Sequence, residues 1–158
     1  GYDAYILRIN SDGSYGWVRV WGGPLNDPAC PDAVYAMTFA DDERSIVAVG
    51  PYQIDYVAGG TVNFGADFGV NDPRTPNGDL DIFILKLRAE DASPVYEWVA
   101  VAGGAFDDVP HDVLYSSDVL WVVGGFTDTV DFAVDFPNAG SDQISPGASL
   151  AAFIWRIR

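Results

Sequence analysis

The sequence predicts an all-β protein built from a repeated four-stranded antiparallel meander, about two and a third copies long. Three observations carry this expectation. One strand-like segment recurs three times, further landmarks follow it in fixed order, and no stretch shows an apolar period of 3.6 residues.

The recurring segment is Asp3-Ala-Tyr-Ile-Leu-Arg-Ile9, then Asp81-Ile-Phe-Ile-Leu-Lys-Leu87, then Ala151-Ala-Phe-Ile-Trp-Arg-Ile157, at offsets of about 78 and 70 residues. Alternation along the first copy puts Tyr5, Leu7 and Ile9 on one face and Ala4, Ile6 and Arg8 on the other. Both faces are largely apolar, as expected of a sheet packed between two neighbouring layers.

The other landmarks keep the same order. Trp17-Val-Arg-Val-Trp-Gly-Gly23 matches Trp98-Val-Ala-Val-Ala-Gly-Gly104, each trailed by an acidic loop, Asn26-Asp27 and Asp107-Asp108. Val34–Phe39 pairs with His111–Tyr115, Ile46–Gly50 with Leu120–Gly124, and Thr61-Val-Asn-Phe64 with Thr129-Val-Asp-Phe132. Each run is rich in β-branched and aromatic residues and bounded by Gly, Asp, Asn or Pro, so each reads as a strand.

One whole unit is expected over Val34–Ala40, Ser45–Gly50, Asp81–Arg88 and Tyr96–Ala102, with a short accessory strand at Thr61–Phe64. The loops Gly65–Leu80 and Ala133–Leu150 are polar and broken, and are expected to project from one edge. The chain then divides into a partial unit over 1–23, a full unit over 33–104 and a partial unit over 109–158, all in a single domain. It opens directly in a strand-like run, as a piece of something longer would.

Composition narrows the function classes. The chain has 158 residues, 49% apolar and 14% aromatic, enough for a packed core. Its net charge is −15, with Lys86 as the single lysine, which disfavours nucleic acid and anionic membrane surfaces as partners. No apolar run approaches the roughly 18 residues of a bilayer span. A soluble self-repelling surface, cation binding and adaptation to high salt all fit the acidity. Cys30 is the lone cysteine, so no internal disulfide forms; a loop or packing role and an intermolecular disulfide both remain open.

Taken together, the landmarks resemble the SBBP-type β-propeller repeat of bacteria and archaea. The matching residues are Asp81, Phe83 and Lys86, Trp98 with Gly103-Gly104, Asp107-Asp108, Val122-Val123-Gly124 and Val130-Asp131-Phe132. The first copy supplies Asp3, Tyr5, Arg8, Trp17, Gly22-Gly23, Val47, Val49, Gly50 and Val62-Asn63-Phe64. The chain departs from the pattern at Asp41–Arg44 and Ser116–Asp118, and at Ala151, which replaces the leading Asp. The resemblance implies four-stranded propeller blades in a secreted or cell-surface scaffold without shared catalytic residues. A propeller left incomplete by this chain, one completed by oligomerisation, and an open sheet stack or sandwich are the alternatives.

Candidate chemistry is sparse. His111 is the single histidine, which removes a two-His metal site. With three glutamates, Glu43, Glu90 and Glu97, and many Asp, no defined carboxylate pair marks a glycosidase. Asn77, Asp79 and Asp81 place oxygen atoms at alternate positions, as a calcium site needs, and as a turn held by Asx caps needs equally. The tryptophans read as core residues between the sheets, and Trp21, at the end of its strand, is the one candidate for exposure and carbohydrate stacking. The terminal strands, through Tyr5, Leu7 and Ile9 and through Phe153, Trp155 and Ile157, are expected to be interaction edges. The partners expected there are further copies of the chain or further parts of a longer one.

Overall fold

Short β-branched and aromatic runs, broken by Asp, Gly and Pro, fold into strands joined by tight turns. The computed structural model describes residues 2–22, 32–40, 44–53, 60–90, 92–137, 140–147 and 150–158. Among them the strands are β1 (Ala4–Ile9), β2 (Tyr15–Trp21), β3 (Ala36–Phe39), β4 (Ser45–Tyr52), β5 (Val62–Asn63), β6 (Pro73–Arg74), β7 (Asp81–Arg88), β8 (Val95–Ala102), β9 (Val109–Ser116), β10 (Val119–Phe126), β11 (Val130–Asp131), β12 (Gln143–Ile144) and β13 (Ala151–Ile157). A single 3-10 turn at Ala66–Phe68 is the only helical element among the described residues. Cys30, Asn26-Asp27 and Asp41–Glu43 lie outside the described residues.

All pairings are antiparallel and none of the sheets closes into a barrel. The first sheet is β1-β2, the second is β3-β4-β7-β8, and the third is β13-β10-β9. Two small hairpins, β5-β6 and β11-β12, lie between the second and third strands of the larger sheets in chain order. Ser117 and Asp118, both at positive φ (55° and 60°), form the two-residue turn between β9 and β10, where the strand twist favours that conformation.

The three sheets stack face to face around two cores. One core joins Ala4, Ile6, Trp17 and Trp21 of the first sheet to Phe83, Leu85 and Leu87 of the second. The other joins Val47, Val49, Ile82 and Ile84 to Val122, Phe153 and Trp155 of the third. β7 therefore gives alternate side chains to opposite cores, and its segment Asp81–Leu85 is buried throughout. Each fully buried Val, Leu, Ile or Phe contributes about 1.5–3 kcal/mol, so β7 and the adjacent β4, which is buried along its whole length, anchor the stack.

Registers coincide between the sheets. Arg8 faces Trp17 and Lys86 faces Trp98, each beside a one-residue register shift. Gly50 faces Phe83 and Gly124 faces Phe153. Phe64 lies 5.2 Å from Phe83 at 48°, and Phe132 lies 5.1 Å from Phe153 at 50°.

The two long loops correct the sequence expectation. They carry aromatic residues inward instead of projecting freely. Ala133 is buried, and Phe68 and Phe136 pack against the two cores. Asn63 and Asp131 hold these loops in the same way. The Asn63 side-chain oxygen accepts the Gly65 and Asp72 N–H groups, and the Asp131 carboxylate accepts those of Ala133 and Asp142. The polar composition of the loops satisfies their backbone, while the few aromatic residues provide the burial.

Candidate functional site

The first sheet carries an inverted polarity. Its buried face is mixed, pairing Ala4 with Trp21, Ile6 with Arg19 and Arg8 with Trp17. Its outer face is wholly apolar, pairing Tyr5 with Val20, Leu7 with Val18 and Ile9 with Tyr15. Tyr5 is 62% exposed, Ile9 63% and Tyr15 66%. An isolated antiparallel sheet normally turns its apolar face inward and its polar face to water. Contiguous exposed apolar residues of this kind are uncommon on the surface of a soluble monomer. Met37 and Phe39 on β3 add further exposed apolar side chains to the second sheet.

The third sheet exposes Leu114, Trp121, Val123 and Ile154 on the side away from the second. Ile154 is 74% exposed, and the Arg156 guanidinium lies over the Trp121 ring at 5.6 Å. The stack thus ends in an apolar face on both sides.

This placement divides the expected edge residues. Tyr5, Leu7 and Ile9 point outward. Phe153 and Trp155 do not: they are buried in the core between the second and third sheets, with Ile157 half-buried against it. Both sets occupy the same face of the recurring strand. In a directional stack that face points out of the first sheet and into the neighbour from the third. At the third sheet the alternate residues Ala152, Ile154 and Arg156 are the exposed ones.

Trp21 also departs from expectation. It is 3% exposed, set edge-on to Phe83 at 5.7 Å and tilted against Phe64 at 6.4 Å. Its position at a strand end suggested access, yet the β5-β6 hairpin covers it by bringing in Phe64. Trp21 is a core residue and cannot stack on a sugar.

Asn77, Asp79 and Asp81 lie at the turn into β7. The Asp81 carboxylate is buried and accepts the Asn77 N–H at 2.6 Å through one oxygen, while its other oxygen meets no hydrogen-bond donor among the described residues. The Asn77 side chain donates to the Gly103 carbonyl at 3.4 Å. The Asn77 N–H takes up one oxygen of the Asp81 carboxylate and so closes the turn that leads into β7. Among the described residues no group of three or more His, Cys, Asp or Glu side chains gathers as metal ligands would. His111 is exposed on β9.

Asp108 is a second buried carboxylate. It accepts the Gly104 N–H at 2.5 Å and the Thr127 N–H at 3.0 Å, tying the ends of two strands together. Burial pushes Asp81 up to about 7, with the Asp108 charge adding to it, and pushes Asp108 up to about 6. At Asp72 burial also pushes upward, but hydrogen bonds from Arg74 and Tyr96 outweigh it and hold the carboxyl low.

A carboxyl raised on folding binds more protons in the native chain than in the unfolded one. Its contribution to stability is therefore full below about pH 4 and is lost as pH rises through about 7. Urea denaturation should show Asp81→Asn gaining roughly 2–4 kcal/mol on wild type between pH 5 and pH 8. Parallel pH profiles for the two proteins would contradict a buried Asp81 whose charge is disfavoured on folding.

The sequence reading missed two residues that join the sheets. Asp67 accepts the Val20 N–H of β2 at 2.8 Å, and Asp135 accepts the Val101 N–H of β8 at 2.9 Å. Arg74 adds an ion pair to Asp135 at 2.7 Å. Each Asp lies four residues beyond Asn63 or Asp131 and is followed by Phe68 or Phe136. Continuing the Thr-Val-Asn/Asp-Phe match by those residues would have found them. No family model, curated protein or solved structure matches the chain.

Proposed function

We propose that the chain is a non-catalytic structural and interaction module: a stack of propeller-type, four-stranded units that is completed by further sheets of the same kind. The observation that carries this reading is the apolar outer face of the first sheet, Tyr5, Leu7, Ile9, Tyr15, Val18 and Val20. Shared registers at Arg8–Trp17 and Lys86–Trp98 support the unit as a repeated one. The buried carboxylates Asp81 and Asp108 hold backbone N–H groups, a structural use of the groups that acid–base chemistry would otherwise draw on. An extracellular or cell-surface setting follows from the resemblance to SBBP-type repeats.

Further copies of the chain are the partner that can be tested directly. Light scattering across a concentration series should give a mass above 17.0 kDa, rising with concentration. A folded chain that stays at the monomer mass throughout contradicts the reading.

A further inference from the structure

We infer that the edge of β13 opposite β10 is a strand-addition site for an antiparallel segment of the pattern Tyr-x-Trp-Val-x-Val. This deepens the interaction-module reading and rests on it. The argument comes from the two strands that already occupy this position elsewhere in the molecule. β1 and β7, the first two copies of the recurring segment, carry β2 and β8 along one edge in the same register.

Arg8 faces Trp17 and Lys86 faces Trp98; past the register shift, Ile9 faces Tyr15 and Leu87 faces Tyr96. Toward the other end, Leu7 and Leu85 face Val18 and Val99, and Tyr5 and Phe83 face Val20 and Val101. The added strand thus presents the same three side chains, Tyr, Val and Val, on one face in both sheets.

β13 repeats the receiving side. It pairs with β10 on one edge, and among the described residues no strand lies on the other. A groove of about 1090 Å³ runs along Ala151–Arg158 between Phe136 and Asp142. A second cavity of about 500 Å³ opens toward the second sheet, lined by Trp98, Tyr115, Leu120, Phe136 and Ile157.

The side chains around the groove correspond to those that hold β8. The Tyr96 ring lies 5.7 Å from Phe68, and its hydroxyl donates to Asp72 at 2.6 Å. Phe136 and Asp142 are the corresponding pair. The Asp72 and Asp142 carbonyls accept the Phe64 and Phe132 N–H groups, both at 3.2 Å. An incoming tyrosine opposite Ile157 meets Phe136 and Asp142, its two valines fill the inner cavity, and its tryptophan lies opposite Arg156. Main-chain pairing along the edge supplies affinity, and the alternate side chains supply selection.

The probe is a fluorescently labelled peptide of the chain's own residues 94–104, added to the folded protein. Saturable binding and a rise in melting temperature are expected. Tyr→Phe in the peptide should weaken binding about tenfold on wild type but not on Asp142→Ala, whose carboxylate is gone. Changes in the peptide leave the folding of the protein untouched. Absence of binding, or equal binding of a scrambled peptide, overturns the site. Self-association that persists without peptide binding overturns the strand site alone and leaves the module reading standing.

Discussion

Replacing Phe83 by alanine is expected to cost about 3–5 kcal/mol of stability, a large share of what a domain of this size has. Phe83 lies on β7, is fully buried and touches two aromatic residues of its core, Trp21 and Phe64. Truncation removes their shared neighbour and leaves a cavity, because Trp21 belongs to one sheet and Phe64 to a loop held by Asn63. Neither can collapse inward without moving its own backbone. Urea denaturation measures the loss directly. Phe39→Ala serves as the control, since Phe39 is exposed on β3 and should change stability by only about 0.5 kcal/mol. Equal losses for the two variants would show that the aromatic core does not hold the stack together.

Gly124→Ala should be nearly as damaging, at about 3 kcal/mol or more. A methyl group at this position meets the Val109 carbonyl oxygen well inside contact distance and crowds the Phe153 ring. Gly50 is placed alike, against the Ala33 carbonyl and the Phe83 ring. Backbone oxygen cannot swing aside as a flexible side chain would, so the strands must separate or the aromatic residue must leave the core. The glycines that end the Ile-Val-Ala-Val-Gly50 and Leu-Trp-Val-Val-Gly124 runs are therefore seats for the phenylalanine of the neighbouring strand. Thermal melting of both variants checks this. An unchanged melting temperature would mean that the Gly–Phe contact is looser than the structure gives.

Strand positions were legible in the sequence because alternation and turn residues are local signals. β7 falls on Asp81–Arg88 as expected, and β4 extends its expected range by Pro51 and Tyr52. What was not legible depends on neighbours distant in sequence. The alternation at Tyr5 and at Phe153 is the same, yet one residue meets water and the other a core, because the sheets stack in one direction. Trp21 looked accessible because Phe64, which covers it, lies 43 residues further along. Asp81 had the spacing of a polar turn residue, and only the fold places one of its oxygens against the Asn77 N–H. The loops misled through their composition, since Phe68 and Phe136 outweigh the many polar residues around them.

Mass in solution tests the central claim most directly, measured by light scattering on wild type and on a Tyr5→Lys/Ile9→Lys variant side by side. The net charge of −15 opposes association at long range, so wild-type assembly should strengthen as salt screens that repulsion. Wild type is expected to exceed 17.0 kDa, and the variant to return to that mass with its melting temperature unchanged, because both side chains lie outside the cores. A wild-type protein that remains monomeric at every concentration and salt level, or a variant that assembles as well as wild type, would contradict the assignment of this face as the surface that completes the stack.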